Sequence, residues 1–408
     1  SNKILLLVLD PGLDFGPVGA MYVADWINGW DTKDYGRIWK LDDKDGANWA
    51  ERALTKKLLA QSFAKTPVSE LGGYLKNADM RVRQKAQFEL VKRGEAGATT
   101  FGQMVQQTEH QQARVHSIWG LSQLARKDAK YAQRLMPLLK DKDPEIQAQA
   151  ARWLGDIRYK EAGAALIPLL KDDNSRTRFF AAEALGRIAY APAIQPIISL
   201  LEANKDEDTY IRHAGSLALA RIGKPEPVIA LANHSSKAVR IAAVVALRRM
   251  SNPGIATFLK DSDEFIVTEA ARGINDDLSI PQALPALGNV LASTTFTNEP
   301  LIRRAINANL RVGTPEAMQN LIQYANGAKN PAALRAEALD ALSTWAKPSL
   351  LDRVDGRYRG PVTRDLAVLK TKSANLYTTL ATNDELPIRR SAIRAISKLS
   401  IATASPVL

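Results

Sequence analysis

The chain has 408 residues, and its 55 lysines and arginines exceed its 43 aspartates and glutamates, which gives a formal net charge of +12. A basic surface favours acidic partners such as nucleic acid, anionic lipid or an acidic protein, without choosing among them. The sequence contains no cysteine, which excludes disulfides, thiolate metal sites and covalently attached c-type haem within this chain.

The first 42 residues do not follow a helical period and predict a short β element. Residues 4–9, ILLLVL, favour a buried strand over a signal peptide, because the run is short and leads into Asp10 and Pro11 without a small-residue cleavage site. Residues 20–24 and 36–41 are runs of β-type residues joined by a turn region, which is typical of a hairpin. No apolar run in the chain approaches the roughly 18 residues of a membrane-spanning helix.

Residues 13–42, LDFGPVGAMYVADWINGWDTKDYGRIWKLD, resemble the closing blade of the β-propeller in large secreted bacterial dehydrogenase-like proteins. That family is similar to the soluble glucose and sorbosone dehydrogenases that use pyrroloquinoline quinone. Its multidomain members place HEAT repeats after the propeller and often add a c-type cytochrome domain. The resemblance therefore implies a propeller or cytochrome domain as neighbour, a sugar dehydrogenase-like parent protein, and a periplasmic or secreted location, with a cytoplasmic one left open.

The same stretch departs from the family pattern in ways that limit what is carried over. Val18 stands where the family has aspartate in a Gly-Pro-Asp-Gly turn, the other blades are absent, and no Cys-x-x-Cys-His motif occurs. A single blade cannot form a cofactor pocket. We therefore expect no cofactor in this chain and no catalytic activity of its own.

Residues 43–66 are predicted to join this element to the rest of the chain. A polar linker over 43–48 is followed by an amphipathic pattern from about residue 49 to residue 61. A helix here would cap a stack of repeats, because a terminal repeat must cover an otherwise exposed apolar face.

Residues 161–188, EAGAALIPLLKDDNSRTRFFAAEALGRI, predict one complete helical hairpin. Apolar residues at helical spacing are followed by a polar loop over 171–175 and by a second helix. If Arg178 is position zero of that second helix, the small Ala181 falls at plus three and Leu185 at plus seven, both on the face that packs. One hairpin cannot bury that face alone, so a stack of repeats is predicted.

Copies of this pattern recur at roughly 30 residues through 67–346, and a last one follows in 364–399. The plus-three residue is small in every copy but one, in which Ile306 follows Arg303. We expect the arginines at position zero to be structural and to donate to loop carboxylates of the neighbouring repeat. These arginines are Arg83, Arg114, Arg178, Arg212, Arg240, Arg303, Arg335 and Arg389.

Aspartate before the second helix with arginine at its start, as in Asp173 and Arg178, resembles the short HEAT repeats of bacterial proteins over about residues 67–399. The resemblance implies an all-α, right-handed solenoid of about ten helical hairpins, and we expect a monomer. Residues 112–124 and 334–360 further resemble the helical part of the dehydrogenase-like family. Aspartates in the repeat loops should accept hydrogen bonds from helix N-terminal amides; they include Asp79, Asp143, Asp208, Asp263 and Asp384.

Residues 347–363 form a charged insertion, rich in proline and glycine, that interrupts the repeats. The favoured interpretation is an ordered loop packed through its own Asp–Arg pairs. The alternative is a binding loop, since long irregular loops are often functional. Its candidate binding residues are Arg353, Arg357, Tyr358 and Arg359. After the last hairpin, the tail over 400–408 lacks periodicity and should fray.

A basic track is predicted at plus nine of three consecutive repeats, on the second helix. It consists of Arg187, Arg221 and Arg249, with Arg248 beside the last. Equivalent positions of a solenoid form a line, so these cations could follow a phosphate backbone or an acidic partner. The alternative is a solvated ladder of arginines between repeats.

Residues that could carry catalysis are scarce. The four histidines are His110, His116, His213 and His234. No two have the i, i+4 spacing of a helical metal site, and no Gly-rich phosphate loop or nucleophile turn occurs. We therefore predict no catalytic, cofactor-binding or metal-binding residue in this chain.

Three functions remain open. The leading one is a non-catalytic HEAT scaffold that docks domains or protein partners. The second is a basic solenoid that binds nucleic acid, similar to the alkylpurine DNA glycosylases; it would need an aromatic-lined pocket with a carboxylate, whereas Trp119, Trp153 and Trp345 fit core positions. The third is a HEAT protein similar to the bilin lyases.

Overall fold

The computed structural model describes residues 12–25, 36–46, 49–277, 279–382 and 385–402. Within these ranges the predicted fold class is confirmed, since the chain consists of helical hairpins preceded by a small β-sheet. The predicted strand at 4–9, Asp384 and residues 403–408 of the tail lie outside the described residues. Two compact units are distinguished, Ser1–Leu166 and Ile167–Leu408. Among the described residues, no helix has both the length and the apolar character needed to cross a bilayer.

The N-terminal sheet has three antiparallel strands in the order β1-β2-β3. The strands are β1 Leu13–Phe15, β2 Met21–Asp25 and β3 Arg37–Leu41. Strands β2 and β3 form the predicted pair, with Val23 opposite Trp39. Strand β1 is an addition to the prediction, and the turn that brings it back to β2 contains Gly19 at a φ of 77°, which favours a residue without Cβ.

The helices of the first unit are α1 Ala50–Ala60, α2 Val68–Tyr74, α3 Met80–Lys92, α4 Glu95–Met104, α5 Gln111–Ala125, α6 Pro144–Asp156 and α7 Gly163–Leu166. Two 3-10 helices, Ala129–Lys140 and Lys160–Ala162, complete the hairpins. Pro137 lies inside the first of them; because proline lacks an amide hydrogen, it cannot complete an α-helical ladder there.

The α-helices of the second unit are α8 Ser175–Arg187, α9 Ile194–Asn204, α10 Thr209–Ile222, α11 Pro225–Ile229, α12 Lys237–Arg249, α13 Glu264–Asn275, α14 Leu284–Ser293, α15 Glu299–Val312, α16 Pro315–Asn326, α17 Ala332–Ser343, α18 Ala367–Leu380 and α19 Leu386–Leu399. The 3-10 helices are Ile167–Lys171, Ala191–Ala193, Ala230–Asn233, Pro253–Lys260 and Pro281–Ala283.

The second helix of most repeats begins at a side-chain cap. Asp79, Asp143, Asp208 and Asp263 each accept a hydrogen bond from an amide in the first turn, which satisfies a donor that the helix itself leaves free. In the repeat over 161–188 the cap of α8 is Asn174 and not Asp173. Position zero lies four residues after the cap in these helices, so the cap defines the register of each repeat.

The caps correct the register of one repeat. Helix α15 is capped by Asn298, which places Ile302 at position zero instead of Arg303. The plus-three residue is then Ala305, which is fully buried, so the small-residue pattern has no exception at this repeat. The plus-seven residue is Asn309, and the buried amide donates to the backbone oxygens of Gly288 and Ala305 at 2.8 and 2.9 Å. The sequence pattern favoured Arg303 because an asparagine is unexpected at a core position.

Candidate functional site

Three of the position-zero arginines hold the loop of their own hairpin in one geometry. Each donates through Nη1 to the backbone oxygens of the residues six and five positions earlier. The bonds run from Arg83 to Asn77 and Ala78, from Arg178 to Asp172 and Asp173, and from Arg240 to His234 and Ser235, at 2.7 to 3.1 Å. Because the loop carbonyls have no helical partner, these guanidinium groups supply the missing donors.

The remaining position-zero arginines are less uniform. Arg114 donates to the backbone oxygen of Val105 at 2.7 Å, and Arg335 donates to that of Ala325 at 2.9 Å. Arg212 contacts the carboxylate of Asp206 at 2.9 Å. Arg389 is half-buried in α19.

Arg303, which lies one residue past position zero, does not hold a loop. It is half exposed and forms ion pairs with Glu299 at 2.8 Å and with Glu337 at 2.9 Å. The register of its repeat turns this side chain away from the hairpin loop and toward the surface formed by the second helices.

Most cations of the basic track face a carboxylate. Glu183 lies between Arg187, at 3.8 Å, and Arg221, at 3.3 Å. Arg248 pairs with Asp277 at 2.6 Å. Arg249 is exposed and has no ion-pair partner among the described residues. The track therefore alternates in charge and is not a continuous positive line.

The insertion loop is organised around Asp352, whose side chain is fully buried. The carboxylate accepts hydrogen bonds from Asn307 Nδ2 and Arg359 Nε, each at 3.0 Å, and from the amide of Val354 at 2.9 Å. Arg311 lies 3.7 Å away. Burial alone would raise the pKa of Asp352, but the hydrogen bonds from Val354, Asn307 and Arg359 together lower it below its ordinary value.

Two predicted residues of this loop anchor it to the C-terminal end of α13. Arg359 donates to the backbone oxygens of Asn275 and Asp277 at 3.0 Å, and Arg357 contacts the Asp277 carboxylate at 3.0 Å. Tyr358 and Arg353 instead face solvent, and the Tyr358 side chain is 68% exposed. The four candidates of the loop thus divide into two anchors and two exposed groups.

Arg353 lies at a groove in the second unit that gathers arginines from two helices and from the insertion loop. The groove has a volume of about 720 Å³ and is lined by Arg303 of α15, Glu337 and Asp340 of α17, Arg390 and Arg394 of α19, and Arg353 of the insertion loop. Helix α17 packs against both α15 and α19, which brings these side chains together. We call this surface the arginine groove.

The carboxylates of the arginine groove are each used by one arginine. Glu337 pairs with Arg303 at 2.9 Å, and Asp340 pairs with Arg394 at 3.2 Å. Arg353 and Arg390 are exposed, and neither has an ion pair or a side-chain hydrogen bond with any described residue. Within the described part of the chain, the groove therefore keeps two positive charges without an ion-pair partner.

One side of the arginine groove is apolar. Leu386 and Pro387 at the start of α19 and Ala333 and Ala336 of α17 line it. The Leu386 side chain is 44% exposed. A ligand could therefore find ionic and apolar contacts within one site.

Sequence reasoning missed Glu337, Asp340, Arg390 and Arg394 as members of a site, and treated Arg303 as structural. One signal was available, because Arg390 and Arg394 are four residues apart and therefore share a helix face. No local sequence pattern indicated that Arg353 lies near Arg390 and Arg394, since Arg353 belongs to a different segment of the chain.

His116 is buried in the first unit, where Nδ1 lies 2.8 Å from Gln87 Oε1 and the ring meets Trp119 edge-on. Burial, together with the positive charge of Arg83, lowers the pKa of His116 to about 4. The residue is therefore a neutral packing group at neutral pH. The described residues contain no group of three or more histidine, aspartate or glutamate side chains arranged to hold a metal ion.

The three candidate tryptophans serve packing. Trp345 is 2% exposed, with the Arg364 guanidinium 4.8 Å from the centre of its ring. Trp119 and Trp153 both donate through Nε1 to Gln149 Oε1, at 3.0 and 3.3 Å. Their indole N–H groups are thus satisfied inside the repeat stack.

Comparison with known proteins identifies the repeats. The family model for HEAT repeats matches residues 98–175, 132–209 and 163–232. A search of the curated proteins found no match. The matching segment thus consists of HEAT repeats, and the chain as a whole has the fold of a HEAT-type solenoid.

Solved structures with a similar fold are distant in sequence. An engineered protein is 19% identical, with 82% of this chain and 98% of that chain covered and a TM-score of 0.35. Importin beta is 13% identical; the match covers 87% of this chain and 57% of importin beta, with a TM-score of 0.47. A chain in the complex of CpcE and CpcF of phycocyanin lyase from Nostoc sp. PCC7120 is 21% identical. The match covers 66% of the present chain and 94% of that chain, with a TM-score of 0.28. None of these likenesses extends beyond the fold.

Proposed function

We propose that this chain is a non-catalytic scaffold that docks protein partners. The observation that carries the proposal is the arginine groove, which combines an exposed apolar rim with two arginines that have no ion-pair partner among the described residues. Binding surfaces of this composition supply both orientation and buried apolar area. A repeat fold suits such a role, because stacked hairpins offer an extended surface without a single enclosed core.

Structural roles account for the buried charged groups described above. Asp352 and Arg359 hold the insertion loop, and Arg83, Arg178 and Arg240 hold hairpin loops. A general acid or base has to reach a substrate atom in a cleft. Asp352, Arg359, Arg83, Arg178 and Arg240 are instead bonded to the backbone or to other side chains of this chain, which favours docking over catalysis.

Protein is favoured over nucleic acid as the partner. A phosphate backbone is bound by a series of cations that each displace counterions. Glu183 stands between Arg187 and Arg221 and would repel phosphates there. The basic track is therefore a poor guide for a polynucleotide, although the net charge of the chain is positive.

The proposed parentage rests chiefly on residues 13–42, with residues 112–124 and 334–360 as a second resemblance. As the end of a propeller in a quinone-dependent dehydrogenase-like protein, this stretch would place the chain in the periplasm or outside the cell, with a propeller or cytochrome domain as neighbour. The chain itself would bind no cofactor and act as a monomer. The three-stranded sheet over Leu13–Leu41 is compatible with part of a blade.

Two binding assays test the scaffold function. Selection of a random peptide library on the immobilised full chain should enrich a defined peptide motif, whereas labelled duplex DNA should bind weakly at about 0.15 M salt. In parallel, a triple variant tests the basic track by combining Arg187→Ala, Arg221→Ala and Arg249→Ala. Failure to enrich any motif, or tight duplex binding that the triple variant abolishes, would overturn the proposal.

If DNA were the ligand, its affinity would fall by about 0.9 log units per log unit of salt for each phosphate contact. The triple variant would then reduce the slope of log affinity against log salt concentration by up to about 3. The scaffold function predicts instead that this variant keeps its helical content and its selected peptide ligand.

A further inference from the structure

We infer that the arginine groove binds an acidic peptide segment whose carboxylates are flanked by an apolar side chain. This inference rests on the proposed docking function and specifies its ligand. Four guanidinium groups face the groove against two carboxylates. Arg303 and Arg394 are already paired with carboxylates. A ligand with two or more negative charges could pair with Arg353 and Arg390, which have no ion-pair partner among the described residues.

The arginines retain donors for such a ligand. Each guanidinium carries five N–H groups, and Arg394 uses Nη2 for both Asp340 and Ser391. Arg353 and Arg390 use none toward the described residues. A carboxylate matches the planar fork of arginine in a bidentate geometry, which makes this pairing stronger and more directional than one with lysine.

The position of Arg353 is prepared by the loop that carries it. Its neighbour Asp352 is buried, and the Asp352 carboxylate accepts from the amide of Val354 on the other side of Arg353. The backbone at Arg353 is thus held between two anchored residues, and a ligand need not order this segment on binding. Preorganisation of this kind lowers the entropic cost of association.

The chemistry of the groove favours peptide over nucleic acid. Glu337 and Asp340 lie among the arginines and would face the phosphates of a polynucleotide, whereas a peptide offers amide N–H donors as well as carboxylates. Single strands are also held by aromatic side chains that stack on bases, and none of the described residues that line the groove is aromatic. The apolar rim at Leu386 and Pro387 suits a leucine or isoleucine of the peptide.

The test measures fluorescence anisotropy of a short labelled peptide rich in glutamate, with two leucines, on the full chain. Reversing the two unpaired arginines in Arg353→Glu/Arg390→Glu should weaken binding at least about tenfold, since two charge-assisted contacts are lost. The matched control, Lys224→Glu/Lys372→Glu, makes the same charge change at two exposed residues outside both the groove and the basic track. This control should keep the affinity for the peptide within about twofold of that of the unaltered chain. Circular dichroism of both variants checks that the helices are intact.

Several results would overturn the inference. Equal weakening by both double variants would show that net charge alone attracts the peptide. Equal binding of a lysine-rich peptide, or stronger competition by single-stranded DNA of similar length, would reject the acidic-peptide ligand. If Arg353→Glu/Arg390→Glu reduced helicity, the milder Arg390→Ala on its own should still weaken binding, and an unchanged affinity would count against the site.

The experiments can reject the acidic-peptide ligand of the groove without rejecting the docking function. A selected motif that lacks acidic residues and binds Arg353→Glu/Arg390→Glu as well as the unaltered chain would reject the groove ligand while leaving the scaffold intact. Absence of any selected motif would reject both.

Discussion

Asn307 Nδ2 donates to the buried carboxylate of Asp352 at 3.0 Å and so joins helix α15 to the insertion loop. The same amide nitrogen lies 2.9 Å from Asn275 Oδ1, which extends the contact to α13. One polar connection therefore links two second helices to a loop that interrupts the repeats. Because these groups are buried, each is satisfied only while the others remain in place.

We predict that Asp352→Ala destabilises the chain by about 2 to 4 kcal/mol, because Arg359 and Asn307 would lose their buried acceptor. Chemical denaturation followed by circular dichroism measures the change. The control Glu202→Ala alters an exposed residue of α9 and should shift stability by less than about 0.5 kcal/mol. An equally small effect at both positions would mean that the loop does not depend on this carboxylate.

Leu185 is fully buried at plus seven of its repeat. Leu185→Ala removes packed methyl groups and should cost roughly 2 to 5 kcal/mol in unfolding free energy. Lys171→Ala, at the exposed last residue of the 3-10 helix Ile167–Lys171, should do little. Thermal melts of the two variants compare them directly, and similar melting temperatures would contradict the repeat register.

The corrected register of α15 can be tested with one kind of substitution at two sites. Ala305 is fully buried, whereas Ala333 is exposed. Ala305→Leu should therefore cost about 1 to 3 kcal/mol or more through overpacking, and Ala333→Leu should be nearly neutral. Denaturant midpoints measure both, and a neutral Ala305→Leu would restore Arg303 as position zero.

The buried His116 predicts a pH dependence of stability. Its pKa in the folded chain is about 4, whereas that of an unfolded chain is about 6.5. Protonation of His116 therefore favours unfolding. The stability that the chain has while His116 is neutral is fully present above about pH 6.5 and is lost as the pH falls toward about 4. The loss amounts to about 3 kcal/mol in total.

The His116 effect is measured as the difference in unfolding free energy between the unaltered chain and His116→Gln, from about pH 7 to about pH 4. Carboxylates titrate in both proteins and cancel in that difference. A difference that does not change with pH would show that His116 titrates as an exposed histidine does.

The proposed parentage predicts that the purified chain alone does not reduce redox dyes when supplied with pyrroloquinoline quinone, calcium and sugar. The three-stranded sheet described over residues 13–41 offers no enclosed pocket in which a quinone could be held. The known soluble dehydrogenases of that class serve as the positive control. Quinone-dependent dye reduction by this chain would require a cofactor site that the sequence does not predict.

The helical hairpins were predictable because their determinants are local. Arg178, Ala181 and Leu185 lie within two turns of one helix, so their spacing alone indicates which face packs. The same locality explains the error at Arg303. The cap at Asn298 identifies the register of α15, whereas the sequence pattern showed only that Ile306 is too large for the plus-three position.

The candidate site was less predictable, since sequence spacing reports neighbours only along one helix. Arg187, Arg221 and Arg249 were grouped because they occupy equivalent repeat positions, but Glu183 lies beside two of them. Whether a cation is free or paired depends on the side chain that the next helix presents, which no periodicity specifies.

The sequence by itself therefore determined that this chain folds as helical-hairpin repeats with a short β element, because helix periodicity, caps and small residues act over a few residues. Only the tertiary structure decided which charges meet. One groove collects Arg303, Arg353, and the pair Arg390 and Arg394 from three separate segments, because α17 packs between α15 and α19 while the buried Asp352 holds the insertion loop against the stack.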